Sequence, residues 1–312
     1  MATEATTQYL NLMTGPAPKV EEVDDLARAW LGDSGIGEEY MQAAIAVTKL
    51  AAALYTDVYR KNRPKGTPYA QSVFWHAAEV ARHVHENSNS DLGFIIGIAH
   101  DIPEDSLKLR PEKPISVDDI VAQCHVFSED KFVLREVLNW KTDAPELHSD
   151  QRRGAQLEKV ELINKVLERA TNPLRALAAE LTLTTFGVDK LANTEADLHD
   201  LRAGRLRFRG QTYEAARLKA LEYVLALYNN EAIVENLRIH PRIKRRFRKV
   251  NKELATRITR AGYTDPTLLE VVGPARQEVT AAAPAAAAKL SVRPVLLPQA
   301  ALQVEAPSAV HY

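Results

Sequence analysis

An all-α fold is predicted by three observations: few glycines, long segments rich in Ala, Leu, Glu, Lys and Arg, and almost no alternation of period two. The elements follow in order. A first long helix is expected from about Glu38 to Arg60, stopped by the cluster Asn62, Pro64, Gly66 and Pro68. A second is expected over Val73 to His85 and a third over Asp91 to Asp105. Pro111 and Pro114 mark a loop, after which Ser116 is placed to cap the helix that begins VDDIVAQC. Further helices are expected over Lys131 to Trp140, Gln151 to Arg169, and Pro173 to about Asp200, the last with proline in its first turn. Gly204 and Gly210 bracket a basic turn, RLRFRG. Tyr213 to Tyr228 has the pattern of an amphipathic helix, and Asn230 to Ala261, interrupted at Pro241, reads as a kinked helix or a pair.

Composition divides the chain into an N-terminal segment (1–37), a helical domain (38–210), a basic helical extension (211–262) and an Ala/Pro-rich tail (263–312), which is too poor in large apolar groups to offset its ordering entropy. Forty basic residues against 41 acidic ones give a net charge of −1, so no whole-molecule field draws the chain to nucleic acid or acidic lipid. The single cysteine, Cys124, excludes an internal disulfide and any cysteine-based zinc site. The N-terminus lacks the pattern of a secretory signal, and the most apolar window, AAIAVTKLAAAL, is broken by Lys49 and too short for a bilayer. A cytoplasmic protein with no membrane partner is expected.

The densest chemical signal is HDIPED, His100 to Asp105, which follows the apolar run GFIIGIA. On one continuous helix His100 and Glu104, and Asp101 and Asp105, would be one turn apart on adjoining strips, although Pro103 should kink that helix between the two pairs. His76 sits in the largely apolar VFWHAAEVA, and Asp189 in LTLTTFGVDKLAN. Singly, each is more often a satisfied core residue or a solvated edge than a ligand. A buried carboxylate, however, needs a partner or a metal. Three such anomalies on three apolar helices suggest one shared answer, a divalent metal held by His and carboxylate. Glu104 and Asp105 would sit beside it, placed to orient or deprotonate a water.

These residues resemble the signature of the HD-domain metal-dependent phosphohydrolases: a single His (His76), an adjacent pair (His100 and Asp101) and a distant Asp (Asp189). Within that family the chain is most similar to the RelA/SpoT-type hydrolase domain and the small alarmone hydrolases. YRKNRPKGTPYA resembles their RK-x-P-x-G-T-P-Y loop, WHAAEVA their H-P-x-x-V-A, HDIPEDS their H-D-x-x-E-D-T, and VDKLANTEADL their A-D-K-L-x-N-L-R-x-L. The resemblance runs from about Gln42 to Leu201. It implies one Mn²⁺ held by His76, His100, Asp101 and Asp189, with Glu104 and Asp105 positioning the attacking water. It further implies Arg60 and Lys61 over a purine, and Asn193 near the sugar or phosphates. The chain carries AQSVFW between its PY and His76, and Glu195 where the family has Arg, which should reshape the phosphate end of the pocket.

The expected activity is thus hydrolysis of a purine nucleotide bearing more than one phosphate, either ppGpp or another purine (deoxy)nucleotide. A non-catalytic HD module that binds nucleotide or nucleic acid, and an interaction protein working through its basic helix and tail, are the alternatives. RIHPRIKRRFRK, Arg238 to Lys249, is the one segment where a nucleic-acid or phosphate-rich partner could bind, although a solvated helix balancing acidic neighbours is the plainer expectation. The oligomeric state is not legible.

Overall fold

The pattern of buried positions explains why each segment is helical. In a computed structural model that describes residues 14–32, 35–60, 63–68, 70–88, 90–142, 149–202 and 230–260, helix is the only regular structure, apart from two isolated β-bridges. The described residues all belong to one compact unit, Met1–Asp265.

The N-terminal segment contributes a helix that its sequence pattern does not announce. A 3-10 turn (Val20–Glu22) leads into α1 (Val23–Leu31), whose Val23, Ala27 and Leu31 recur every fourth residue and are buried. Helix α2 (Glu38–Leu54) starts with Glu38 and Glu39, which suit the positive end of its dipole. It ends at Leu54, not at Arg60 as the sequence suggests. Val58 to Arg60 instead run alongside Gln71 to Val73, with Tyr59 bridged to Ser72 and Val73 N–H donating to the Val58 carbonyl at 2.9 Å. Gly66, at φ +83°, makes the turn between these two strips.

Helix α3 (Val73–Ser88) and α4 (Leu92–Ala99) form the centre of the molecule, and every residue of α4 is buried. Their approach is very close. A Cβ placed on Gly97 would lie 2.3 Å from the Cα of Ala81, so only glycine lets α4 pack this deeply against α3.

The expected single helix from Asp91 to Asp105 is in fact two. Helix α4 stops at Ala99, Asp101 adopts φ −109° and ψ −5°, and α5 (Ile102–Leu109) begins immediately. Pro103 explains the position of the break. In an unbroken helix its ring would clash with the carbonyl of Ala99, whereas in the first turn of a new helix it costs nothing.

Ser116 caps α6 (Val117–Gln123) as expected, accepting from the Asp119 N–H at 3.1 Å while Asp119 reaches back to the Ser116 N–H at 2.8 Å. Helices α7 (Ser128–Lys141), α8 (Ser149–Arg169) and the 30-residue α9 (Pro173–Arg202) agree with the expected spans to within a few residues. Residues 230–236 are helical, and Pro241 opens α10 (Pro241–Arg260), so that region is a pair rather than one kinked helix.

Two apolar clusters fill the interior. One lies among α1 to α7 and the beginning of α9, with Phe74, Phe94 and Ile98 among its members. The other joins α8, the middle of α9 and α10 through Val160, Phe186 and Phe247. Helices α3 and α9 supply both, and they also carry His76 and Asp189.

On α10 the cations do not occupy the whole circumference. Ile243, Phe247, Leu254 and Ile258 form a buried stripe, and Arg246 grips Glu195 of α9 with two hydrogen bonds, at 2.5 and 2.7 Å. Among the described residues no helix is long and apolar enough to cross a membrane. The RLRFRG turn, the helix expected over Tyr213 to Tyr228, and the Ala/Pro-rich tail lie outside the described residues.

Candidate metal centre

His76 projects from the first turn of α3, His100 closes α4, Asp101 starts α5, and Asp189 lies in the middle of α9. Residues separated by as much as 113 positions in the chain thus meet, each offering one ligand atom, all within 4.8 Å of one another. The two imidazoles stand edge to face at 5.9 Å between centroids. His76, His100 and Asp189 are buried, while the side chain of Asp101 is 38% exposed and gives the cluster its opening to solvent.

Hydrogen bonding fixes what the imidazoles can do. His100 Nδ1 donates to the Gly97 carbonyl at 2.7 Å, which leaves Nε2 as the nitrogen with a free lone pair. That Nε2 is buried, lies 2.9 Å from Asp101 Oδ2 and 3.8 Å from Asp189 Oδ1, and makes no hydrogen bond of acceptable geometry. His76 Nε2 lies 3.2 Å from the same Asp189 oxygen. A lone pair and two carboxylates converging on one point repel one another unless a proton or a metal cation lies between them. The donor set of two imidazoles and two carboxylates suits a divalent ion of intermediate hardness, so the residues fit a metal.

One cation is already near. Lys141, the last residue of α7, is buried, with Nζ 3.7 Å from Asp189 Oδ2 and 4.3 Å from the centre of the Phe186 ring. It holds the Asp189 oxygen that faces away from the imidazoles. Lys190 Nζ stands 4.0 Å from that oxygen as well. Neither lysine stood out in the sequence.

Of the other expected site residues, Asn193 donates to Asp189 Oδ1 at 2.8 Å, and Arg60 donates to Asn193 Oδ1 at 3.1 Å. Arg60 and Asn193 therefore reach the centre as one chain of hydrogen bonds. The second terminal nitrogen of Arg60 is buried without a hydrogen-bond partner among the described residues. Because α2 ends early, Arg60 is not the basic end of a helix. Lys61 lies outside the described residues.

Glu104 and Asp105 occupy the first turn of α5, where the helix dipole favours carboxylates. They do not share one continuous helical face with His100 and Asp101, because the chain breaks between the pairs. Asp105 accepts from the Tyr55 hydroxyl at 3.0 Å, and Glu104 from Lys108 Nζ at 2.7 Å. Burial, reinforced by the Asp101 charge, raises the Asp105 carboxyl above the ordinary aspartate value. Glu195 is neutralised by Arg246, so it is not the free opposing charge that its position suggested. Cys124 is buried, and burial pushes its thiol up to about 12, which leaves it inert.

The charges of the centre set a pH dependence. Burial opposes a charged His100, but the adjacent Asp101 carboxylate outweighs it and the imidazole titrates above its ordinary value of 6.5. Its contribution to stability is complete below that value and is lost as pH rises through the folded pKa. For Asp189 burial is again the largest influence, yet Lys141 and the His76 hydrogen bond overcome it and hold the carboxyl well below 3.8. That contribution is present above 3.8 and is lost only in acid. Chelator-treated protein is therefore expected to melt higher at about pH 6 than at about pH 8.5, whereas an excess of a divalent cation that the centre binds should reverse the order, because bound metal displaces protons from imidazole. Thermal unfolding followed by circular dichroism checks both halves. A chelated His100→Asn variant that keeps the full pH difference would contradict the assignment to this histidine.

No protein-family model, curated protein or solved structure matches the chain.

Proposed function

We propose that this protein is an HD-type phosphohydrolase that uses Mn²⁺ and acts on a purine nucleotide carrying more than one phosphate. The observation that carries the reading is the convergence of His76, His100, Asp101 and Asp189 on one point. They come together in the chain order of the HD signature, from segments that the sequence alone shows only as isolated polar residues. A divalent ion held there would supply Lewis acidity toward a phosphoryl oxygen and acidify a water.

The remaining roles fall to the protein's own groups. Asp105, steadied by Tyr55 and raised in pKa, is suited to hold or pass a proton beside the centre. Glu104 shares that turn and is oriented by Lys108. Arg60, anchored through one terminal nitrogen by Asn193, keeps another for a substrate, where its plane can cover a purine. Among such nucleotides the alarmone ppGpp, split at its 3′-pyrophosphate, is the first substrate to test, with other purine (deoxy)nucleotides as the alternative.

Metal analysis combined with a nucleotide panel scored for released phosphate and pyrophosphate tests the reading. Glu104→Gln and Asp105→Asn are expected to retain metal and to lower turnover by about 10²-fold or more, as loss of a general acid or base does. Metal loss in either variant would show that the carboxylate is a ligand instead. Arg60→Ala is expected chiefly to raise KM, reflecting loss of a contact worth about 0.5–2 kcal/mol, with turnover at saturation little changed. Pyrimidine nucleotides hydrolysed as fast as purine ones would remove the base-covering role. A panel with no turnover would leave the metal centre and refute the enzyme.

A further inference from the structure

We propose that the outward face of α10 is a docking strip for the phosphate backbone of a double-stranded nucleic acid, an interaction separate from the metal centre. The cations of this helix from Arg242 to Arg257, whose side chains are described, fall into two groups. Arg246 is paired with Glu195, Arg248 with Glu235 and Arg257 with Glu253, and Lys244 donates to the Glu235 carbonyl. Arg242, Arg245, Lys249 and Lys252 are different. All four are exposed, and none of their charged side-chain groups makes an ion pair or a hydrogen bond with another described residue.

Their spacing of i, i+3, i+7 and i+10 sets them in one strip along the helix. At 1.5 Å per residue that strip is about 15 Å long. Like charges three and four residues apart repel, so an unneutralised strip costs stability. The helix has acidic partners for its other arginines but none for these four. A duplex presents about one negative charge per 1.7 Å of axis, so several phosphates come within reach of a strip this long.

The chemistry also selects among polyanions. The only aromatic residue of α10, Phe247, is buried, so the face has no platform on which the bases of a single strand could stack. The apolar stripe of Ile243, Phe247, Leu254 and Ile258 is used up in the interior, which leaves nothing to insert into a bilayer. That same stripe fixes the helix rigidly, so the four cations are presented without further ordering. Binding through phosphates alone is independent of base sequence.

The test uses the full chain and a fluorescein-labelled DNA duplex of mixed sequence, followed by anisotropy over a range of salt. Saturable binding is expected, with log affinity falling linearly against log salt at a slope of about −3 to −4, the value for four neutralised phosphates. Arg245→Glu/Lys249→Glu is expected to weaken binding tenfold or more and to flatten that slope, with far-UV circular dichroism and metal content unchanged. Lys19→Glu/Lys113→Glu makes the same charge change at exposed positions outside α10 and is expected to bind as the parent does. Equal loss in both double variants would reduce the effect to net charge and overturn the proposal. So would absence of duplex binding, or binding to phosphatidylserine vesicles in its place, which would assign the strip to a membrane surface.

Discussion

Asp101→Ala is expected to abolish metal binding and turnover together while leaving the fold in place. The two effects separate cleanly here because Asp101 holds little else. It precedes α5 but makes no capping hydrogen bond, and its side chain is 38% exposed. Its carboxylate is held down to about 2, against the cost of burial, by His100. It is therefore charged at any pH at which the imidazoles are free to coordinate. Removing one of two carboxylates from a site with four ligand atoms should cost more than the 10–100-fold that altering an outer partner costs. Elemental analysis beside a melting curve decides the matter. Equal metal content in the parent and in Asp101→Ala would sink the proposed centre.

Arg63→Ala carries the largest expected loss of stability. Arg63 Nε donates to both oxygens of Asp200, at 2.9 and 3.0 Å, and its guanidinium also reaches the side chain of Gln71 and the carbonyl of Ala196. Only 8% of the Arg63 side chain and 3% of that of Asp200 are exposed. Truncating the arginine breaks a buried ion pair and removes both hydrogen bonds that Asp200 accepts from Arg63 Nε, a loss of about 3–5 kcal/mol. In a chain of this size that corresponds to a fall of roughly 6–20 °C in Tm. The double variant Arg63→Met/Asp200→Leu removes both charges and should recover much of the loss. A single variant that melts within about 2 °C of the parent would show that this ion pair carries little of the stability.

Much of the helical plan could be read from the sequence, because Ala, Leu, Glu and Lys at helical spacing leave little else for those segments to form. The misreadings have local causes. Pro103 marked a kink between the metal pair and the acidic pair, and because its steric effect falls on the carbonyl four residues earlier that kink is a full break at Asp101. Val58 and Tyr59 continued an apolar rhythm, yet a β-branched and an aromatic residue suit the extended strip that pairs with Gln71 to Val73. The four residues of the candidate metal centre were visible because each is a polar residue in an apolar stretch. Lys141 was not, since a lysine ending a helix ordinarily reaches solvent, and only the packing of α7 against α9 places it over Phe186. Arg63 was hidden in the same way, within a loop rich in proline and lysine. Asn164, which clasps the chain at Asn236 and Arg238, carried no sequence signal at all.

The hydrogen-bonded run from Arg60 through Asn193 to Asp189 would make the basic loop and the proposed metal centre thermodynamically linked sites. A ligand that fixes Asp189 also fixes the amide that orients Arg60, so each occupant lowers the ordering entropy left for the other. Linkage is reciprocal: whatever factor a cation bound at the proposed centre applied to the dissociation constant of a molecule on Arg60, that molecule would apply to the cation. Asn193 is the joint through which this coupling passes. A leucine there would leave two sites that bind independently, each still present and neither informed of the other.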